Sequence, residues 1–222
     1  MLPKILRGIY QFLLDLLFPI ECLGCRQEGI WLCPECLATI EAFPASRSAA
    51  IRIPGCRKIF IATDYDQPLL ARAIHFLKYK SVAELAKPLS KIIIAYWPGE
   101  KFPANTLFVP VPLHHRRQQE RGFNQSALLA HQLSAHFDRP ADENILRRQR
   151  HTAAQMSLNR AARLRNIKNA FQLNPKKNIA GQDIYLIDDV LTTGATLQEC
   201  TRALQAGHPH SVNAIVIAHS AK

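Results

Sequence analysis

The stretch YLIDDVLTTGAT, residues 185–196, decides the reading of this chain. An apolar run ends in two adjacent carboxylates, Asp188 and Asp189, and Thr-Thr-Gly-Ala-Thr follows at once. The run reads as a buried strand within residues 179–187, and residues 196–205 read as a helix that Gly207 stops. In a parallel sheet, ligands gather beyond the carboxyl ends of the strands, which is where this pair falls. The loop after it leads into a helix N-terminus, whose N–H groups and positive dipole end favour an anion. Gly194 lets the backbone approach a phosphate closely, and Thr192, Thr193 and Thr196 add hydroxyl donors. One half of the motif therefore suits a phosphate, and the other accepts from vicinal hydroxyls or holds magnesium waters. A sugar phosphate satisfies both halves; two solvated acids before a capped helix are the plain alternative.

Working outward, Lys58–Tyr65 reads as a strand, Pro68 opens a helix to about Lys78, and Glu84–Trp97 is a second helical run. Thr106–Leu113 is extended, with prolines that place it at a sheet edge or before a loop. The basic segment HHRRQQERGFNQ then reads as a loop, Asn124 as the N-cap of a helix over residues 125–137, and Val212–Ala218 as the last strand. Strands alternating with helices imply an α/β fold with a largely parallel sheet. The expected organisation is an N-terminal unit over residues 1–41, a Pro- and Ser-bearing linker over 42–56, and the α/β domain over 57–222.

The chain of 222 residues is 48% hydrophobic, enough for a core, and carries a formal charge of +11. That excess favours polyanionic ligands. It concentrates between Pro110 and Phe171, where Arg116, Arg117, Arg121, Arg139, Arg147, Arg148, Arg150, Arg160, Arg163, Arg165 and Lys168 face only Glu120, Asp138, Asp142 and Glu143. Arginine dominates lysine there, which suits bidentate recognition of phosphate; a solvated basic surface is the alternative.

CLGC (Cys22, Cys25) and CPEC (Cys33, Cys36) place two thiol pairs at the spacing of a tetrahedral zinc knuckle, structural in role; a pair of disulfides is the alternative. Such a knuckle is too small to bury its own core, so the metal would supply local folding energy. Cys56 and Cys200 read as buried thiols outside the cage. Before the knuckle, Ile5, Ile9, Phe12, Leu13, Leu16 and Leu17 recur at helical spacing. Gln11 and Asp15 break the run, which is too short to span a bilayer. A packing or partner helix is expected, peripheral contact with an inner membrane face is the alternative, and the expected compartment is the cytoplasm.

YLIDDVLTTGAT resembles the 5-phosphoribosyl-1-pyrophosphate (PRPP) motif of type I phosphoribosyltransferases. FVPVPLHHRRQQERGFNQ, QMSLNRAARLRNIKNAF and the CLGC/CPEC knuckle, in that setting, resemble the ComF family of competence-associated proteins and its GntX-like relatives, from about Leu16 to Ala218. The resemblance implies that Asp188 and Asp189 bind the ribose hydroxyls of PRPP, while Thr192, Thr193, Gly194, Ala195 and Thr196 wrap its 5-phosphate. It places Arg116, Arg117 and Arg121 where a pyrophosphate-contacting loop belongs, with magnesium accompanying the pyrophosphate. Lys78 matches a recurrent lysine that can reach a phosphate, and a solvated helix-end lysine is its plain alternative. Many relatives carry a second cysteine set; here residues 38–59 hold only Cys56, so a single knuckle is expected.

Three functional readings follow. The first is a magnesium- and PRPP-dependent transferase of unassigned acceptor, with residues 147–170, including Gln155, Arg163, Arg165 and Asn166, as a hood that excludes water. The second binds single-stranded DNA through Arg147, Arg148, Arg150, Arg163 and Arg165 without needing catalysis. The third docks the knuckle and N-terminal helix onto DNA-uptake or recombination proteins. No general base is evident: His114, His115 and His151 read as loop histidines. The family points to natural transformation.

Overall fold

The computed structural model describes residues 19–149 and 167–221. The expected N-terminal helix, along with Arg150, His151, Gln155, Arg163, Arg165 and Asn166, lies outside the described residues. Within them, α1 (Pro34–Ala38) and α2 (Ala45–Ala50) precede β1 (Ile59–Asp64). Next come α3 (Pro68–Tyr79), a 3₁₀ turn (Ala83–Leu85) and α4 (Ala86–Tyr96). They are followed by β2 (Thr106–Pro110), α5 (His115–Arg121), α6 (Gln125–Phe137), β3 (Leu146–Arg148) and β4 (Phe171–Leu173). The chain closes with β5 (Asp183–Leu191), α7 (Ala195–Gln205) and β6 (Ser211–His219).

Four strands form a parallel sheet in the order β1-β6-β5-β2, so the expected α/β architecture holds. The inner strands β5 and β6 are covered on both faces, which is why their central runs, Ile184–Ile187 and Ala214–Ala218, are apolar. Alternation sends Ile184 and Leu186 of β5 to one core and Ile187 to the other. The first of these cores is closed by α7 and the β3–β4 pair, and the second by α3, α4 and α6. β2 lies at an edge and ends in Pro110, a position where a missing N–H costs no ladder bond.

Several local expectations change. The basic segment after β2 is not a loop: residues 115–121 form α5, capped by the His114 ring, which accepts from Arg116 N–H at 3.4 Å, and ended by Gly122 at φ +81°. Residues 45–50 form α2 although they carry no helical period. β5 starts later than expected and runs through both carboxylates to Leu191. The antiparallel β3–β4 pair was not anticipated, because three-residue strands are too short to show a period. Asn124 does cap α6, accepting from Ser126 N–H at 3.1 Å. No described helix is long and apolar enough to cross a membrane.

The cysteine unit does not stand apart from this core. Leu23, Leu32 and Ile40 are buried in one cluster with Leu70, Ile74 and Leu77 of α3. The Trp31 ring lies 6.0 Å from that of Phe76. Contact with α3 therefore supplies the burial that a unit this small cannot find within itself.

Gly207, just beyond α7, is confined from two sides. An added Cβ would come within 2.6 Å of Ile179 Cγ1 and 2.8 Å of Leu173 Cδ2. We expect Gly207→Ala to destabilise the fold by about 1–3 kcal/mol through overpacking. Urea unfolding monitored by circular dichroism checks this: the midpoint should fall with an unchanged slope.

Candidate functional site

Asp188 and Asp189 sit in the last turns of β5's ladder, opposite and next to β6 residues such as Val216, with which Asp188 is in register. Asp189 is only 3% exposed. Two neighbouring carboxylates in such a place repel each other and lack water, so other elements must compensate. From the end of α3, Lys78 Nζ pairs with Asp189 Oδ1 at 2.8 Å. From the first turn of α6, Ser126 Oγ donates to Asp188 Oδ1 at 3.0 Å, and the backbone N–H of Asp189 donates to the same oxygen at 2.9 Å. Asp189 Oδ2 is buried and has no hydrogen-bond partner among the described residues.

The electrostatics follow. Burial, with the Asp189 charge adding to it, pushes the Asp188 carboxyl up to about 7 despite the opposing pull of Lys78 and Ser126. Burial works against the Lys78 charge, but Asp189 outweighs it and holds the ammonium above its ordinary value. Asp188, next to a carboxylate that is paired with Lys78, is thus poised to exchange a proton near neutrality.

On the other side of the strand end, Gly194 adopts φ +78° and caps α7, whose first intrahelical bond runs from Gln198 N–H to the Gly194 carbonyl at 2.9 Å. The N–H groups ahead of that bond point out of the helix end. Thr193 Oγ1 takes one of them, from Ala195, at 3.4 Å. Thr192 is exposed, and Thr193 and Thr196 are half-buried. Ile53 backs the turn: a Cβ on Gly194 would lie 3.2 Å from Ile53 Cγ1, so a side chain here is opposed by contact as well as by φ.

Helix α5 sorts its arginines. Arg117 and Arg121, four residues apart on one face, are half-buried, whereas Arg116 is exposed. Arg121 donates from Nη1 to Gln125 Oε1 at 2.8 Å and places its guanidinium 5.3 Å from the centre of the Tyr79 ring. Burial depresses its pKa while Asp189 opposes the shift. Arg148, reached by the unforeseen β3, is half-buried with its guanidinium 5.3 Å from the Phe171 ring centre. Burial and the nearby Arg117 charge lower the pKa of Arg148, and Asp188 opposes them. Arg148 therefore belongs to the surroundings of the carboxylates, whereas Arg147, its neighbour on the strand, is exposed on the opposite side. Sequence reasoning missed Ser126, Tyr79 and this place for Arg148. Only the Asn124 cap gave a local signal near any of them, since it fixes where α6 begins.

The second chemical cluster is the set Cys22, Cys25, Cys33 and Cys36, whose sulfur atoms lie within 4.8 Å of one another and can hold a metal ion. A tetrahedral thiolate cage with bonds of about 2.3 Å has edges of about 3.8 Å, and Cys25 Sγ and Cys33 Sγ are 3.7 Å apart. None of the four is in a disulfide. Burial resists the Cys22 thiolate, yet backbone N–H groups from Cys33, Cys25 and Gly24 bring its pKa down to about 6. The Cys36 N–H favours a Cys33 thiolate, but burial and the neighbouring thiols and Glu35 drive that group up to about 12. Gly24 is the close-approach residue of the turn: a Cβ there would sit 2.5 Å from Cys36 Sγ. Cys200 is fully buried as expected, whereas Cys56 is only partly so and donates to the Lys58 carbonyl at 3.2 Å.

Comparison with known proteins bears on this geometry. Residues 124–222, which carry Ser126, β5 and α7, match the phosphoribosyl transferase domain family. The chain is 32% identical over 213 residues to Competence protein F of Haemophilus influenzae, covering 85% of this chain and 92% of that one. It is 36% identical over 191 residues to DNA utilization protein YhgH of Escherichia coli, covering 82% of each. It is 29% identical over 170 residues to Competence protein ComFC of Bacillus subtilis, covering 74% of this chain and 64% of that one. The extent of those matches, together with the parallel sheet and the cysteine cluster, makes the chain a member of the ComF family, with a type I phosphoribosyltransferase-like fold behind an N-terminal cysteine knuckle.

Proposed function

We propose that this protein binds PRPP with magnesium at the carboxyl end of β5, holds a structural zinc ion in its four-cysteine knuckle, and serves the handling of imported DNA. The names of its relatives, which speak of competence and DNA utilisation, support the cellular role. The observation that carries the ligand is Asp189 Oδ2, a buried acceptor without a hydrogen-bond partner among the described residues, set beside the Asp188 carboxyl. A buried acceptor left open is costly unless a ligand donates to it, and vicinal ribose hydroxyls supply two donors side by side.

In this reading Gly194, the threonines and the N-terminus of α7 take the 5-phosphate, while Arg117, Arg121 and Lys78 face the pyrophosphate. Magnesium would add charge neutralisation at the pyrophosphate. Transfer of the ribosyl group would proceed through an oxocarbenium-like state, and cations aimed at the departing pyrophosphate would stabilise it more than the ground state. The acceptor is unassigned. Exposed Arg116 and Arg147 favour a second reading, contact with single-stranded DNA.

Calorimetric titration of the zinc-loaded protein with magnesium and PRPP tests the first reading. Saturable binding should weaken by more than about tenfold in Asp188→Asn/Asp189→Asn, about 1.4 kcal/mol. Absence of heat from the intact protein, with a single-stranded oligothymidylate binding instead, would remove PRPP from the account.

The pKa of Asp188 gives a pH signature. Its folded value, about 7, lies above the ordinary 3.8, so its contribution to stability is full below about pH 4 and is lost as pH rises through 7. Ligand hydroxyls need the carboxylate, so affinity should change in the opposite sense. Titrations between about pH 6 and 8 should show PRPP binding tightening with pH and releasing a proton, an effect absent from Asp188→Asn.

The knuckle generates its own expectation. Gly24→Ala should displace Cys36 Sγ and weaken zinc binding by at least about tenfold, measured by competition with a chromogenic chelator. Gly29→Ala meets nothing within 4 Å at its added Cβ and serves as the control for substitution within the knuckle, although its φ of +83° adds backbone strain.

A further inference from the structure

β1 lies at the edge of the sheet, and its free side is only partly covered. Ala214 N–H donates to the Lys58 carbonyl at 2.9 Å, so Lys58 faces β6. Strand alternation then turns the N–H and C=O groups of Ile59 and Ile61 to the open side. The chain itself protects the far end of this edge. Ala42 bridges Thr63 in antiparallel fashion, and Phe43 N–H donates to the Ala62 carbonyl at 2.9 Å. It then turns away through α2, and a groove of about 660 Å³ opens between this excursion and β1. Phe43, Ile51, Phe60 and Tyr96 give it apolar walls. Arg52, Arg57 and Lys58 give it a basic rim, and none of its described lining residues is acidic. Lys58 meets Glu100 across the rim at 3.1 Å.

We propose that this groove binds an extended, acidic segment of a partner protein, which adds to the β1 edge as a further strand. Main-chain groups of Ile59 and Ile61 would carry the ladder, alternate apolar side chains would enter the groove, and acidic residues would meet the rim. Charge selects among the occupants. Residues 1–18 of this chain carry Lys4 and Arg7 against Asp15, and residues 150–166 carry Arg150, Arg160, Arg163 and Arg165 with no acid, so both are basic. A second copy brings a formal charge of +11 and is repelled. A nucleic acid would meet the rim but offers no peptide ladder to the open edge. The groove follows the β1 edge, whereas the carboxylates end the inner strand β5. Ile53 lines the groove and also backs the Gly194 turn, but the inference rests on the open edge and the rim charge and not on PRPP binding.

The test is selection of a phage-displayed library of random decapeptides on the full-length, zinc-loaded protein, followed by fluorescence anisotropy with the leading peptide made synthetically. Enriched sequences should alternate apolar with acidic residues. Arg52→Glu/Arg57→Glu, both at exposed positions, should weaken the peptide at least tenfold without changing the thermal midpoint. N-methylation of alternate peptide amides should weaken it similarly, because it removes ladder donors. Failure to enrich any peptide, enrichment of basic or unpatterned sequences, indifference to the charge reversal, or displacement of the peptide by an oligothymidylate alone would each overturn the proposal.

Discussion

Two adjacent carboxylates at the buried end of a strand are an electrostatic liability, and much of this molecule is arranged around it. The sheet cannot relieve the repulsion, because its own backbone groups are committed to the ladder. Relief comes from three separate helices: α3 brings Lys78 to Asp189, α6 brings Ser126 to Asp188, and α5 brings Arg121 near enough to Asp189 to feel its charge. None of these groups is adjacent in sequence to the pair. The order of helices around β5 is therefore tied to the chemistry of the strand's end, and Asp189 Oδ2, unpaired among the described residues, marks where their compensation stops. Natural proteins tolerate an incomplete balance of this kind where a ligand completes it.

Much of this was legible in the sequence because long elements carry strong periodic signals. The helices beginning at Pro68 and Gln125 and the strands around Ile184 and Ala214 declare themselves through periodicity, a proline at N1, and the Asn124 cap. The motif at residues 185–196 located the buried carboxylates and the Gly194 turn into α7, since its pattern is local to one strand, one turn and one helix. Two kinds of feature escaped. Short elements such as α2, β3 and β4 are held by tertiary contact, with Phe171 and Phe43 supplying the burial, and leave no period to read. Long-range partnerships escaped as well: Arg148 looked like one more residue of a basic stretch until the β3–β4 pairing carried it toward Asp188. The helical state of residues 115–121 matters for the same reason, because a helix, unlike the expected loop, separates Arg117 and Arg121 from Arg116 by face.

The cysteine knuckle follows the same logic at smaller scale. Its four sulfurs are gathered by two tight turns, and Gly24 exists there because Cys36 leaves no room for a Cβ. The surrounding side chains, however, belong to the main core, so the cysteine cluster is seated in burial shared with α3. A module expected to rely on a metal for folding energy also has a hydrophobic anchorage in the main core.

Helix α3 spans both centres. Leu69 and Phe76 meet the cysteine unit along its flank, and Lys78, at its last turn, meets Asp189. A helix of twelve residues is a rod about 18 Å long, stiff on the scale of the atomic shifts that matter in a site. It has no hinge glycine and no interior proline at which to bend. Mechanically it acts as a tie-bar: the position of the ammonium over the carboxylates and the seating of the thiolate cage are two ends of one solid body, so neither can be adjusted as though the other were absent.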